Sequence, residues 1–266
     1  MNIIGWFSCG VTSAVACKLA LEKYGIDNVD LYYIEIDTAH PDNERFISEC
    51  EKWYGKTIKR VRNKKYKDQF EVIEHHHHIN GPRGSDCTRF LKKDVRLKLQ
   101  RELNNPTQVF GFEYSKKEIN RAIRFVQQNE NANAVFPLIE QQITKENALA
   151  ILLSNGIEIP AMYRLGYKNN NCIGCVKGGK AYWNRIRIDF PDVFEKMATL
   201  ERENGRSCIN GQFLDELDPS AGRFDPPLLP DCGNFCEVKY TEIIDPLVDK
   251  IFKQPFRINE ILNDLF

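Results

Sequence analysis

Short apolar runs alternate with amphipathic segments through roughly the first 155 residues, and that alternation restricts the chain to one broad class of fold. Residues 2–7 (NIIGWF), 29–36 (VDLYYIEI) and 107–112 (TQVFGF) read as buried strands, with weaker strands at 57–61 and 134–138. Between them, residues 13–24, 42–54, 88–103, Lys116–Gln128 and 144–155 carry apolar side chains at helical spacing, and another helix starts near Phe70. Gly25 and Gly156 stand where the first and last of these should stop. A parallel strand pair needs a long crossover, and a crossover helix must bury one face on the sheet. The pattern therefore predicts an α/β fold, a mostly parallel doubly wound sheet with helices on both faces. Ligands of such sheets bind at the carboxyl ends of the strands, so the loops at 8–12, 37–40 and 111–115 are expected to converge on one site.

The first of these loops carries the most chemistry. Ser8, Cys9, Gly10, Val11, Thr12 and Ser13 join the first strand to a helix N-terminus, where unpaired N–H groups and the positive end of the helix dipole favour an anion. Gly10 would let the backbone approach a phosphate, and the hydroxyls of Ser8, Thr12 and Ser13 would add donors. The alternative is an ordinary strand-to-helix turn in which Ser13 is only an N-cap.

From Tyr163 the pattern changes to Asn-, Gly- and Cys-rich loops with helices at 182–188 and 193–204, a Pro-rich linker at 219–230, and a final apolar segment at 243–266. The expected organisation is an anion-binding α/β domain over residues 1–162 and a Cys-rich helical and loop subdomain over 163–266 that covers its site. With 266 residues, 42% of them hydrophobic, the chain is long enough for a sizeable core. Its 37 basic and 37 acidic residues cancel, which argues against a globally basic nucleic-acid surface. No apolar run approaches a membrane span, and the start MNIIGWFSCG has neither a basic n-region nor a cleavage-like site, so a cytoplasmic protein with no membrane partner is expected.

In a reducing compartment nine cysteines point to metal, cluster or catalytic roles rather than to disulfides. Cys17 and Cys50 fall on expected helices and read as inert filler, and Cys208 is isolated. Cys172 and Cys175 form a CxxC, Cys232 and Cys236 a second pair, and Cys87 stands at a helix start, five candidates for a four-thiolate centre. Spacing alone leaves iron–sulfur, structural zinc and free thiols open. Arg83, Arg89, Lys92 and Lys93 surround Cys87, while Lys177 and Lys180 follow Cys175, so that a sulfate or phosphate would find cations there; a solvated basic face is the alternative. His75 to His78 point in different directions around a helix and read as a solvated stretch, not a metal site.

Together these residues resemble the phosphoadenylyl- and adenylyl-sulfate reductase family of the adenine nucleotide alpha hydrolase (PP-loop) superfamily. The resemblance rests on the Ser8 to Val15 loop and on the segment from Ile36, Asp37 and Thr38 to Phe46. It also rests on Phe136 to Ile139 with Thr144 to Glu146, on Gly156 to Pro160 with Leu165 to Tyr167, and on Asp86, Cys87, Thr88 and Arg89 with Lys92. It implies an adenine nucleotide or sulfonucleotide, with or without Mg, held by Ser8 to Ser13, Ile36, Asp37, Thr38 and Gly111. Arg83, Arg89, Lys92 and Lys177 would hold the anion. It also implies a [4Fe-4S] cluster, with zinc as the alternative, on Cys87, Cys172, Cys175 and Cys236, and Cys232 as nucleophile in thiol-dependent reduction of an adenylated sulfate, with a thiol reductant protein as partner. Three departures stand out: Thr12 where pyrophosphatases carry Asp, Gly178 where a cysteine is expected, and no histidine after Asp231-Cys232-Gly233. An ATP pyrophosphatase that adenylates a nucleic-acid or other acceptor for thiolation, and an inactive nucleotide-binding regulator, are the other two readings.

Overall fold

The computed structural model describes residues 2–222 apart from 82, 83 and 130. Arg83, Cys232, Cys236, most of the Pro-rich linker and the final apolar segment lie outside the described residues.

Five strands form one all-parallel sheet: β1 (Ile3–Phe7), β2 (Val29–Ile34), β3 (Ile58–Val61), β4 (Thr107–Val109) and β5 (Ala134–Val135), in the order β3-β2-β1-β4-β5. Ile3 stands opposite Val29 on one side and Thr107 on the other. The helices are α1 (Val11–Tyr24), α2 (Asn43–Tyr54), α3 (Gln69–His76), α4 (Asp86–Thr88), α5 (Asp94–Glu102), α6 (Lys116–Gln128), α7 (Pro137–Glu140), α8 (Lys145–Ser154), α9 (Ala161–Arg164), α10 (Lys180–Asp189) and α11 (Pro191–Asn204). A π-helical turn at Arg89–Lys93 joins α4 to α5.

The period-two alternation of β1 sends its side chains to opposite layers. Ile3 and Phe7 join a large core with α1, α2 and α8, in which Phe7 stacks on Phe46 at 5.8 Å between ring centroids. Ile4 and Trp6 face the other way, onto Tyr32 and the α5 residue Leu99. Both faces of the sheet are thus covered, as the alternation requires. On the α5 side the indole of Trp6 donates to Gln108 Oε1 at 3.0 Å, and Gln108 in turn donates to Gln100 at 3.1 Å, so the polar groups buried there are paired.

Three strands end earlier than their apolar runs. β2 stops at Ile34, and Ile36 turns into a small cluster with Tyr66, Val72 and Leu91. β4 stops at Val109, freeing Gly111 for a contact described below. β5 is two residues long because Pro137, which lacks the N–H a ladder needs, opens α7 instead.

A second apolar core lies beyond the sheet. Trp183 and Ile186 of α10 and Phe194, Met197 and Leu200 of α11 pack with Phe70 and Ile73 of α3, and with Ile79 and Met162. The Cys-rich segment is therefore anchored on a helix from the N-terminal half, which fixes where its loops reach the sheet edge.

Candidate active site

The strand order reverses between β1 and β4, and the loops leaving these two strands lie at their carboxyl ends, the edge at which such sheets bind ligands. The residues after β1 build one wall. Cys9 takes a left-handed backbone (φ 56°) and its side chain is buried, where burial first, and then Cys50, pushes its thiol pKa upward. This non-glycine strain was not legible from the sequence, which drew attention to Gly10 instead. Gly10 has an ordinary φ of −98° and caps α1, and what it supplies is room: a Cβ there would lie 3.3 Å from Tyr163 Oη.

Ser13 is not the N-cap. It sits in the first turn as an internal brace, its Oγ within reach of the amides of Ser8 (3.1 Å) and Gly10 (3.2 Å) and donating to the Gly10 carbonyl at 2.9 Å. Burial pushes the pKa of the Tyr163 hydroxyl beside this loop up to about 12, against the lowering effect of the Val11 backbone. Tyr163 is a residue the sequence reading did not single out. Ser8 is exposed and Thr12 partly so.

Gly111 meets this wall from the β4 side. A Cβ at Gly111 would fall 2.6 Å from Ser13 Cα and 2.7 Å from Ser13 N, so the two loops touch backbone to backbone. The loop after β2 closes the third side. Thr38 Oγ1 donates to Gln69 Oε1 at 2.5 Å, Gln69 Nε2 donates to the Ile173 carbonyl at 2.8 Å, and the Ile173 amide returns to the Thr38 carbonyl at 2.8 Å. Asn170 Nδ2 donates to the Cys9 carbonyl at 2.7 Å and reaches Asn43 Oδ1 at 2.8 Å. The structure thus brings the Ser8–Ser13 loop, Thr38, Gly111 and the Cys172 loop together. Asp37 stands exposed and paired with Arg62 at 2.6 Å, and the Ile36 side chain is buried in packing.

Cys87, Cys172 and Cys175 form one electrostatic neighbourhood with Lys92. Charge on Cys172, foremost, and on Cys175 and Cys87 raises the Lys92 pKa. The Lys92 side chain itself is exposed. Burial, as the largest influence, raises the Cys87 and Cys175 thiol pKa values. Tyr182 shapes the CxxC turn: the Cys175 amide donates to its hydroxyl at 2.8 Å, and the hydroxyl donates to the Cys172 carbonyl at 3.1 Å. The ring also explains Gly178, since a Cβ there would lie 1.9 Å from Tyr182 Cδ1. Arg89 is exposed over the Phe90 ring at 5.0 Å, and Lys177 is exposed two residues beyond Cys175.

In donor chemistry this trio suits thiolate-bound iron or zinc. In arrangement, no group of three or more His, Cys, Asp or Glu among the described residues is placed to hold an ion. The histidine run agrees with that: His75 and His77 are exposed, and His76 stacks on Phe90 at 4.3 Å. The other thiols among the described residues are buried, Cys208 in the second core, against which Cys87 also packs. Desolvation raises Cys17 strongly and Cys50 to about 12, and Cys208, raised by burial, donates its amide to Glu201. Among the described residues no helix is long and apolar enough to cross a membrane.

Among solved structures the chain is similar to a phosphoadenylyl-sulfate (PAPS) reductase from Candida auris in complex with phosphate, with 16% identity, a TM-score of 0.47, and 63% of this chain and 79% of that one covered. It is also similar to the U34-tRNA thiolase NcsA from Methanococcus maripaludis with its [4Fe-4S] cluster, with 13% identity, a TM-score of 0.39, and 77% and 72% covered. No curated protein sequence matches the chain. The profile of the phosphoadenosine phosphosulfate reductase domain matches residues 2–180, which span the whole sheet, the Ser8–Ser13 loop and the CxxC turn. A chain matched over that length belongs to the phosphoadenosine phosphosulfate reductase domain family.

Proposed function

We propose that the chain binds an adenine nucleotide at the Ser8–Ser13 loop, with Asp37, Thr38 and Gly111 around it, and performs thiol-dependent sulfur chemistry on it, the reduction of an adenylated sulfate. The observation that carries this reading is the docking of the Cys172–Cys175 turn onto the phosphate loop and the β2 loop, through Asn170 to Cys9 at 2.7 Å and Ile173 to Thr38 at 2.8 Å. Hydrogen bonds thus tie the segment carrying the thiols to the loop proposed to hold the nucleotide. Arg83, Arg89, Lys92 and Lys177 hold the sulfate, and the Cys232 thiolate attacks its sulfur. A sulfur–sulfur bond forms, the bond from sulfur to the phosphate oxygen breaks, and the nucleotide leaves as its phosphate. An external dithiol then attacks Cys232 Sγ, releases sulfite and becomes a disulfide. A [4Fe-4S] cluster or zinc would sit on Cys87, Cys172, Cys175 and Cys236 and supply charge or bound sulfur there; no step above runs through it.

A second reading, adenylation of a nucleic-acid or other acceptor by ATP followed by thiolation, draws on the electrostatic grouping of Cys87, Cys172 and Cys175 with Lys92, and needs no attack by Cys232. The test is anaerobic protein given adenylyl sulfate or its 3′-phosphate with a dithiol, and separately ATP with an RNA acceptor. Sulfite release supports reduction. Pyrophosphate release that needs the acceptor, without sulfite, overturns it in favour of the second reading. Nucleotide binding with neither product leaves the regulator.

A further inference from the structure

One lysine stands where a positive charge is disfavoured twice. Lys145 opens α8 directly after its Thr144 cap, at a helix end whose free amides and dipole favour an anion, and burial opposes its charge as well. Its ammonium is nevertheless held by specific contacts. It donates to the Lys168 carbonyl and to Asn169 Oδ1 at 3.0 Å, and lies 5.3 Å from the ring centroid of the buried Tyr163. Glu113, two residues beyond Gly111 on the loop after β4, is foremost among the carboxylates that favour the charged form, with Glu146 and Glu118 behind it and Lys117 opposing. The residue after Asn169 is Asn170, whose amide holds the Cys9 carbonyl at 2.7 Å.

We propose that Lys145 is a positioning residue for the Ser8–Ser13 loop: its ammonium clamps residues 168 and 169, and the clamp keeps Asn170 on the Cys9 carbonyl. An unbranched stem lets the side chain pass the Tyr163 ring and end in several donors, two of which are used on one short segment. A cation kept at an unfavourable helix end, with acceptors 23 and 24 residues away, is a local conflict explained by a distant contact.

The consequence for the nucleotide rests on the proposed function; the clamp on the loop does not. Lys145→Met keeps the stem beside Tyr163 and removes the charge and donors, whereas Lys145→Arg keeps both. Asn169→Ala removes one acceptor at an exposed position, where the fold should survive, and decides alone should the methionine variant not fold. Amide exchange of residues 8–13 is measured in the full chain without ligand, with α11 as internal reference. It should rise roughly tenfold in Lys145→Met and by a smaller factor in Asn169→Ala, with α11 unchanged, and return to within about threefold of wild type in Lys145→Arg. Calorimetric AMP affinity should fall about tenfold in Lys145→Met and recover in Lys145→Arg. Adding Lys145→Met to Asn170→Ala should lower it no further, because both act through the Cys9 carbonyl. Unchanged exchange in residues 8–13, an equal rise in α11, no recovery with arginine, or additive losses of AMP affinity overturns the clamp. Failure of AMP to bind the wild type sinks the nucleotide reading, and the exchange rates still decide for or against the clamp.

Discussion

Asn170 holds the carbonyl of Cys9, the one residue of the Ser8–Ser13 loop with a left-handed backbone, at 2.7 Å. The same amide nitrogen lies 2.8 Å from Asn43 Oδ1 at the start of α2. One side chain of the Cys-rich segment thus ties a strained loop to the neighbouring helix, so the conformation of the anion cradle depends on a residue more than 150 positions away in sequence.

Asn170→Asp keeps the shape and removes the donor. The carboxylate cannot donate to Cys9 and faces two oxygens, so stability should fall by about 1–3 kcal/mol, the cost of buried acceptors left without a partner. AMP affinity should fall with it, because Cys9 is no longer held. Urea denaturation and calorimetry check both. An Asp variant with wild-type stability and affinity would show that the loop holds itself.

Gly111→Ala sets a new Cβ against the Ser13 backbone, which cannot rotate away as a side chain would. A loss of about 1–3 kcal/mol is expected, as for overpacked cores, together with weaker nucleotide binding as the α1 N-terminus is displaced. Gly10→Ala is the contrast. Its Cβ would come closest to Tyr163 Oη, at 3.3 Å, with Ser8 and Ser13 Oγ at 3.6 and 3.8 Å, and the backbone there suits alanine, so its stability cost should stay below about 1 kcal/mol. Equal costs at the two glycines would refute this account of Gly111.

Much of the fold was legible because the sheet follows from alternation, and the α6 and α8 boundaries from Ser115 and Thr144, whose side chains cap them. The convergence of the Ser8, Thr38 and Gly111 loops was legible from topology alone. Tyr163 and Tyr182 were not. Each is one of ten tyrosines, and its role depends on where packing sets its hydroxyl, beside Gly10 for Tyr163 and across the CxxC turn for Tyr182, which no periodicity records. Lys145 was quoted only within a motif, yet its ammonium lies 3.0 Å from Asn169 Oδ1 and 5.3 Å from the Tyr163 ring centroid, and burial lowers its pKa. Such long-range polar contacts are set by packing, and a single sequence does not encode them locally.

On the proposed cluster reading, Cys87→Ser, Cys172→Ser and Cys175→Ser should each abolish iron retention in anaerobically purified protein, while Cys17→Ala, buried in the sheet core, should retain it. Iron and acid-labile sulfide analysis reads this directly. Stoichiometric zinc in the wild type, or full iron in all three serine variants, rejects the cluster. Tyr182→Phe supplies a finer test. It removes the hydroxyl shared by the Cys175 amide and the Cys172 carbonyl without touching a thiol. Iron content should drop while the protein stays folded, at a stability cost of about 1–2 kcal/mol.

Acid should loosen the joint between α2 and the segment leading to α9. Asp42 accepts both Arg45 Nε at 2.7 Å and Arg45 Nη2 at 2.8 Å, and the Ala161 amide at 2.7 Å. Arg45, foremost, holds the Asp42 carboxyl below its ordinary range against the opposing effect of burial. With the folded value below the unfolded one, the stabilisation is complete above the unfolded pKa of roughly 3.9 and is lost as pH falls through the folded value. Asp42→Asn should therefore cost about 2 kcal/mol near neutral pH, in the range of hydrogen bonds to charged groups, and the gap from wild type should shrink steadily below about pH 4. Urea midpoints measured for both proteins from about pH 7 down to about pH 3 decide the matter. A gap that stays constant over that range would mean that the carboxylate charge contributes nothing and that Asp42 acts only through the shape of its contacts.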